Sequence, residues 1–193
     1  MPHLELRPLE YSEAVTAVVA RRGFDGMTLA DVAAEAGVSR QTMARCYPSK
    51  SALARAAFGH ARDRATAGIA TAVDGHFGIE ALRLFVLELL PLDDKRLAFA
   101  RVLVPAWQMS LHDEEIAAQG NALTASWRLQ MRTWLREAMA DGEVRADVSV
   151  DGVTEMVLNF ISGAQAGALA DASFNSAHQL RGQLDSLLHL LRG

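Results

Sequence analysis

Cysteine is almost absent from this sequence. One thiol, Cys46, stands alone among 193 residues. No intramolecular disulfide framework can form, and the chain suits a reducing compartment such as the cytoplasm. Long apolar runs are absent too. Half of the residues are hydrophobic, yet no uninterrupted stretch approaches the roughly 20 residues that span a bilayer. The N-terminus, Met1 to Pro8, has no basic patch followed by an apolar core, so no secretory signal is expected. Strand patterns are scarce. The six histidines are scattered without a His-x-x-x-His spacing, and no glycine loop has the form that cradles a phosphate. No acid–base pair is clustered in the sequence. Neither a metal, nor a cofactor, nor an enzymatic activity is expected.

What remains is helix. Ala- and Leu-rich segments with helical periodicity fill the chain, and the expected fold is all-α with about nine helices. The most informative stretch runs from Thr28 to Lys50. Thr28 is a good N-cap, and Asp31 places a carboxylate in the first turn, at the positive end of the helix dipole. Leu29, Val32, Ala33 and Ala36 recur at helical spacing. Gly37 stops that helix, because glycine takes the left-handed conformation cheaply. Ser39 caps a second helix over Arg40 to Cys46, and Pro48 ends it by excluding the α region for the residue before it. Two short helices joined by a tight glycine turn form a helix-turn-helix, whose second member fits a DNA major groove. Arg40, Gln41, Thr42 and Arg45 on that member can reach base edges or phosphates. A solvated helix of no special role would more often carry Glu/Lys pairs.

The overall charge is −4, which argues against a nucleic-acid partner until its distribution is read. Residues 1 to 65 hold 9 Lys or Arg against 7 Asp or Glu; residues 66 to 193 hold 10 against 16. The positive end is the end with the helix-turn-helix.

Around this motif the pattern predicts a loose arm over residues 1 to 8, with Arg7 its one basic residue, and a first helix from Leu9 to Arg22 closed by Gly23. A long helix, capped by Ser49, is expected from Ser51 to Val73. Gly75-His76-Phe77-Gly78 marks a turn. Further helices follow over 79–90, 93–111 with a kink at Pro105, 113–140, 151–170 and 176–191. Leu123, Trp127, Met131, Trp134, Leu135 and Ala138 give the 113–140 helix its buried face. Arg128, Arg132 and Arg136 form a stripe expected to be solvated or paired with acids. The last two helices have apolar faces wider than one small core needs, and read as half of a four-helix homodimer interface.

The segments Gly23 to Leu29, Val32-Ala33, Ala36 to Ser39, Thr42-Met43 and Tyr47 to Leu53 together resemble the N-terminal domain of the TetR (tetracycline-repressor) family. The segments Leu82 to Asp94, Trp107, His112 to Glu114, Trp127-Arg128, Gly142 to Val144 and Gly163 to Leu169 resemble the regulatory domain of the betaine-operon repressor (BetI) type. These resemblances imply a homodimeric, ligand-responsive transcription regulator, a repressor in most relatives. They imply a DNA-binding domain over residues 1–56 and an effector-binding, dimerising domain over 57–193. By the family pattern Thr28, Tyr47 and Lys50 resemble phosphate contacts, while Ser39, Arg40, Gln41, Thr42 and Arg45 face the groove or its rim. Relatives mostly carry Tyr where this chain has Ala44, and His or Tyr where it has Cys46, which removes an aromatic phosphate contact. Cys46 itself is either a redox-sensitive thiol or a small residue in a tight motif.

For the effector, the aromatic and apolar residues Phe85, Trp107, Trp127, Met131, Trp134 and Phe160, with Gln108, are the candidates. Three tryptophans can line an apolar pocket, form a cage for a cation, or simply pack a core. The competing function is a helical small-molecule-binding protein whose DNA binding has weakened or been lost.

Overall fold

The structure is a computed structural model that describes residues 8–171 and 176–192. Arg7 of the expected arm lies outside them. Among the described residues there are nine helices and no strand: α1 (Pro8–Gly26), α2 (Leu29–Glu35), α3 (Arg40–Cys46), α4 (Lys50–Val73), α5 (Gly78–Leu89), α6 (Asp94–Met109), α7 (Glu114–Ala140), α8 (Val150–Ala170) and α9 (Ala177–Leu191). The helical expectation holds, with ends within a residue or two of those read from caps and breakers except in α1, which runs to Gly26, four residues past the expected Arg22. Helix α1 leaves helical geometry at Gly23, where φ is 70° and ψ is 170°, as the expected stop required. Pro105 lies inside α6, which continues past it to Met109.

The chain divides into two compact units, Met1–Arg64 with Arg101–Gly120, and Ala65–Ala100 with Asn121–Gly193. In the first, α2 packs on both α1 and α3. Val15, Val18, Val19, Phe24, Val32, Met43, Leu53 and Phe58 are buried there. The second half of α6 and the start of α7 join this unit through polar ties. Arg101 donates to the Ala20 carbonyl at 3.0 Å. Arg55 of α4 donates from Nε to both oxygens of Asp113, at 3.2 and 3.0 Å, and its Nη1 lies 2.7 Å from Glu115.

In the second unit α5 is the central helix, buried along Ile79, Leu82, Phe85, Val86 and Leu89 and packed against α8 and α9. Its N-terminus is satisfied by carboxylates from elsewhere in the chain. Gly78 N–H donates to Glu137 at 3.1 Å and Ile79 N–H to Glu143 at 3.1 Å. Its C-terminal carbonyl at Leu89 accepts from Gln165 Nε2 at 2.9 Å. The arginine stripe of α7 is partly paired, as expected: Arg128 grips Glu155 at 2.6 and 2.9 Å, and Arg132 reaches Asp151 at 2.7 Å.

Candidate nucleic-acid interface

The helix-turn-helix is built by local chemistry. Thr28 and Asp31 form a full capping box: Asp31 N–H donates to Thr28 Oγ1 at 3.2 Å, and Thr28 N–H donates to Asp31 Oδ2 at 3.2 Å. The Thr28 hydroxyl donates to the same oxygen at 2.6 Å, and that bond, ahead of Arg22 and Arg21, holds the Asp31 carboxyl below its usual range. The far end of α2 closes in a Schellman arrangement. Gly37 sits at φ 67°, its N–H donates to Ala34 at 3.2 Å, and Val38 N–H reaches back to Ala33 at 3.0 Å. Ser39 then caps α3 by accepting from Thr42 N–H at 3.0 Å. Arg21 pairs with Glu35, and Arg22 Nη1 lies 2.8 Å from Asp31 Oδ1, so two bridges brace α1 against α2.

With the framework held this way, α3 divides cleanly into two faces. Met43 is fully buried, and Tyr47, which follows the helix, is 4% exposed. Burial raises the Tyr47 phenol to a pKa of about 12, with the neighbouring Cys46 and Tyr11 adding to the effect. On the other face Arg40, Gln41, Ala44 and Arg45 are exposed, and Thr42 is half-buried. Neither Arg40 nor Arg45 takes part in an ion pair among the described residues, unlike Arg21, Arg22 and Arg55. Lys50, exposed at the start of α4, donates from Nζ to the Asp25 carbonyl at 3.2 Å. The structure therefore gathers Ser39, Arg40, Gln41, Thr42 and Arg45 on one short element. Thr28 and Ser39 have side chains engaged in capping, and Tyr47 is turned inward.

The effector candidates separate. Phe85 stands edge-on to Trp127, with ring centroids 5.9 Å apart and planes at 79°, and tilted against Trp134 at 5.6 Å. Met131 is buried on the same face of α7. Trp107, 40% exposed, and Gln108 lie on the part of α6 that belongs to the first unit. Phe160 is half-buried and lines an apolar groove along α8 and α9 with Met156, Leu187 and Leu190. Trp127 and Trp134 also line a cleft of about 430 Å³ between the end of α4 and α7. His76 and Phe77 of the expected turn Gly75-His76-Phe77-Gly78 also line this cleft, beside Asp74. An exposed aromatic between Gly75 and Gly78 was the signal available.

Comparison with known proteins agrees with this architecture. Residues 13–57 match the family model described as bacterial regulatory proteins of the tetR family. Residues 78–192 match the one described as the C-terminal domain of the BetI-type transcriptional repressor. No curated protein matches. Among solved structures, a transcriptional regulator from Saccharomonospora viridis in complex with choline superposes with a TM-score of 0.87 at 21% identity, covering 94% of this chain and 95% of its own. A TetR-family regulator from a Rhodococcus species gives 0.77 at 19%, covering 98% and 100%. The ketosteroid transcriptional regulator of Mycobacterium tuberculosis gives 0.66 at 18%, covering 97% and 95%. With one family model spanning the helix-turn-helix and the other most of the remaining chain, this protein belongs to the TetR family of DNA-binding transcriptional regulators, with a BetI-type C-terminal domain.

Proposed function

We propose that the chain is a cytoplasmic homodimeric repressor, without enzymatic activity, that is released from its operator by a small organic molecule. The observation that carries the DNA-binding assignment is the face of α3. Arg40, Gln41 and Arg45 are exposed, and neither arginine has an ion-pair partner among the described residues, on a helix fixed by its cap and by buried Met43. In this reading those three side chains meet base edges. Ser39, Thr42, Thr28 and Lys50 meet the backbone or the groove rim, whereas Tyr47, which the family pattern marked as a phosphate contact, is buried and packs the framework instead. The functional division lies near residue 56, which the two family matches support.

The α8–α9 groove supports the homodimer. Met156 is 53% and Leu190 69% exposed there, beside half-buried Phe160 and Leu187. A symmetric dimer carries two α3 helices, which suits an operator with two half-sites one helical turn, roughly 34 Å, apart. The choline bound to the Saccharomonospora regulator supports a small organic effector. Such an effector releases DNA only if it prefers the conformation that binds DNA poorly.

The test is fluorescence anisotropy with the DNA upstream of the protein's own gene. Arg40→Ala and Arg45→Ala should each weaken binding by about tenfold or more, since a good base contact contributes roughly 1–3 kcal/mol. Circular dichroism should be unchanged. Unaltered affinity in both variants would place the recognition surface elsewhere. Absence of any sequence-specific binding by the native chain would favour a ligand-binding protein that has lost its operator.

A further inference from the structure

The exposed face of α3 consists of Arg40, Gln41, Ala44 and Arg45. At the helical repeat these residues follow one another around the axis in the order Arg40, Ala44, Gln41, Arg45. Ala44 therefore stands within the face, one turn beyond Arg40 and with Gln41 on its other flank. Met43, fully buried, points away into the core. Arg40, Gln41 and Arg45 are long and carry hydrogen-bond donors. Ala44 ends at its β-carbon and is the apolar member of the set.

A methyl group cannot serve a phosphate oxygen or a polar base edge. A polar group pressed against it loses water and gains no partner. The apolar group that a base pair displays in the major groove is the C5-methyl of thymine. Against that group alone does Ala44 remove apolar surface from water on both sides of the contact. The contact is also well prepared. The Ser39 cap, at 3.0 Å from Thr42 N–H, and buried Met43 and Tyr47 fix the backbone of α3. The position of the Ala44 methyl follows from that backbone, and alanine gives up no side-chain entropy on binding, unlike the long side chains beside it.

We propose that Ala44 is a specificity-determining residue, which packs on the C5-methyl of one thymine in each operator half-site. This rests on the reading of α3 as the recognition helix, and it states what that helix demands at one position. The feature read there is a methyl group, so 5-methylcytosine satisfies it, and cytosine and uracil do not.

The test uses a duplex selected from a random-sequence library by the native full-length protein, with affinity read by fluorescence anisotropy. Each thymine is replaced in turn by deoxyuridine, singly and together with its symmetry mate, which removes the methyl group and leaves base pairing intact. At one position per half-site the native protein should bind about fourfold more weakly, and about fifteenfold when both half-sites are changed, as expected for one buried methyl in each. Cytosine at that position should bind weakly, and 5-methylcytosine should recover the share owed to the methyl group. Ala44→Gly should bind the thymine and uracil duplexes equally. Each variant is compared with itself across two duplexes, so a loss of helix stability from glycine cancels. Ala44→Ser, a better helix former than glycine, should also lose the preference, because a hydroxyl gains nothing from a methyl group. A selected duplex in which no thymine methyl matters would overturn the proposal and leave the recognition helix standing. So would a methyl preference that survives in full in both variants. Selection of no preferred sequence would instead overturn the DNA-binding reading beneath it.

Discussion

Replacing Gly78 by alanine is the sharpest test of how α5, the central helix of the second unit, is held. Gly78 has φ +56°, and a Cβ there would lie 2.6 Å from Glu143 Oε2 and 3.6 Å from the Ala138 Cα. Two costs follow. The positive φ itself costs an L-residue about 1–2 kcal/mol. The steric conflict would be cheap if Glu143 could simply swing away, because a carboxylate is the far end of a flexible side chain. It cannot do so freely, since the same oxygen accepts the N–H of buried Ile79 at 3.1 Å. Leaving that donor unmet costs a further 1–3 kcal/mol or so. Gly78→Ala should therefore lose about 2–5 kcal/mol.

Gly120→Ala is the matched control. It lies within α7, its added Cβ meets nothing within 4 Å, and it should gain roughly 0.5–1 kcal/mol from helix propensity. Urea unfolding followed by circular dichroism, at one protein concentration for all variants, reads both. Glu143→Ala should reproduce only the share owed to Ile79. A Gly78→Ala protein within about 0.5 kcal/mol of the native one would show that α5 can start without this arrangement, and would refute the reasoning.

Acid should destabilise the fold in two stages. His60 is held low by burial, with Arg64 adding to it, so its contribution is complete above its ordinary pKa of about 6.5 and is lost as pH falls through the lower folded value. Asp31 is held low by the Thr28 hydroxyl, Asp113 by the Ile116 N–H, and Glu155 by Arg128. Their contributions are complete above about pH 4 and are lost below it. Thermal melts between neutral and strongly acidic pH would show both steps, and a His60 proton resonance titrating above the other histidines would contradict the first. Leu190→Glu combined with Met156→Glu should convert the proposed dimer to monomers in sedimentation velocity without loss of helicity, because both side chains stand exposed on the α8–α9 groove. A dimer that persists would move the interface elsewhere.

The helix-turn-helix was legible because its chemistry is local. Thr28, Gly37, Ser39 and Pro48 each act within four residues of themselves, so reading them in order gave α3 its observed bounds. The apolar faces of α5 and α7 were legible for the same reason, through their periodicity. Periodicity does not say which neighbour a face meets. Phe160 shares the apolar side of α8 with buried Val157 and Ile161, yet it lines the outer groove instead of joining Phe85 and the two tryptophans. Residues 101–120 fold with the first unit partly because Arg101 finds the Ala20 carbonyl and Arg55 finds Asp113. Those are separations of 81 and 58 residues, and nothing local announces them.

The two faces of α3 have a consequence for how this regulator can change over generations. What folds the helix is Ser39, Met43 and Tyr47; what would read DNA is Arg40, Gln41, Ala44 and Arg45. The two sets do not overlap. Substitutions at the exposed positions can redraw the preferred operator at little thermodynamic cost to the protein. A duplicated copy could thus acquire a new set of target genes within a few mutational steps while every intermediate still folds.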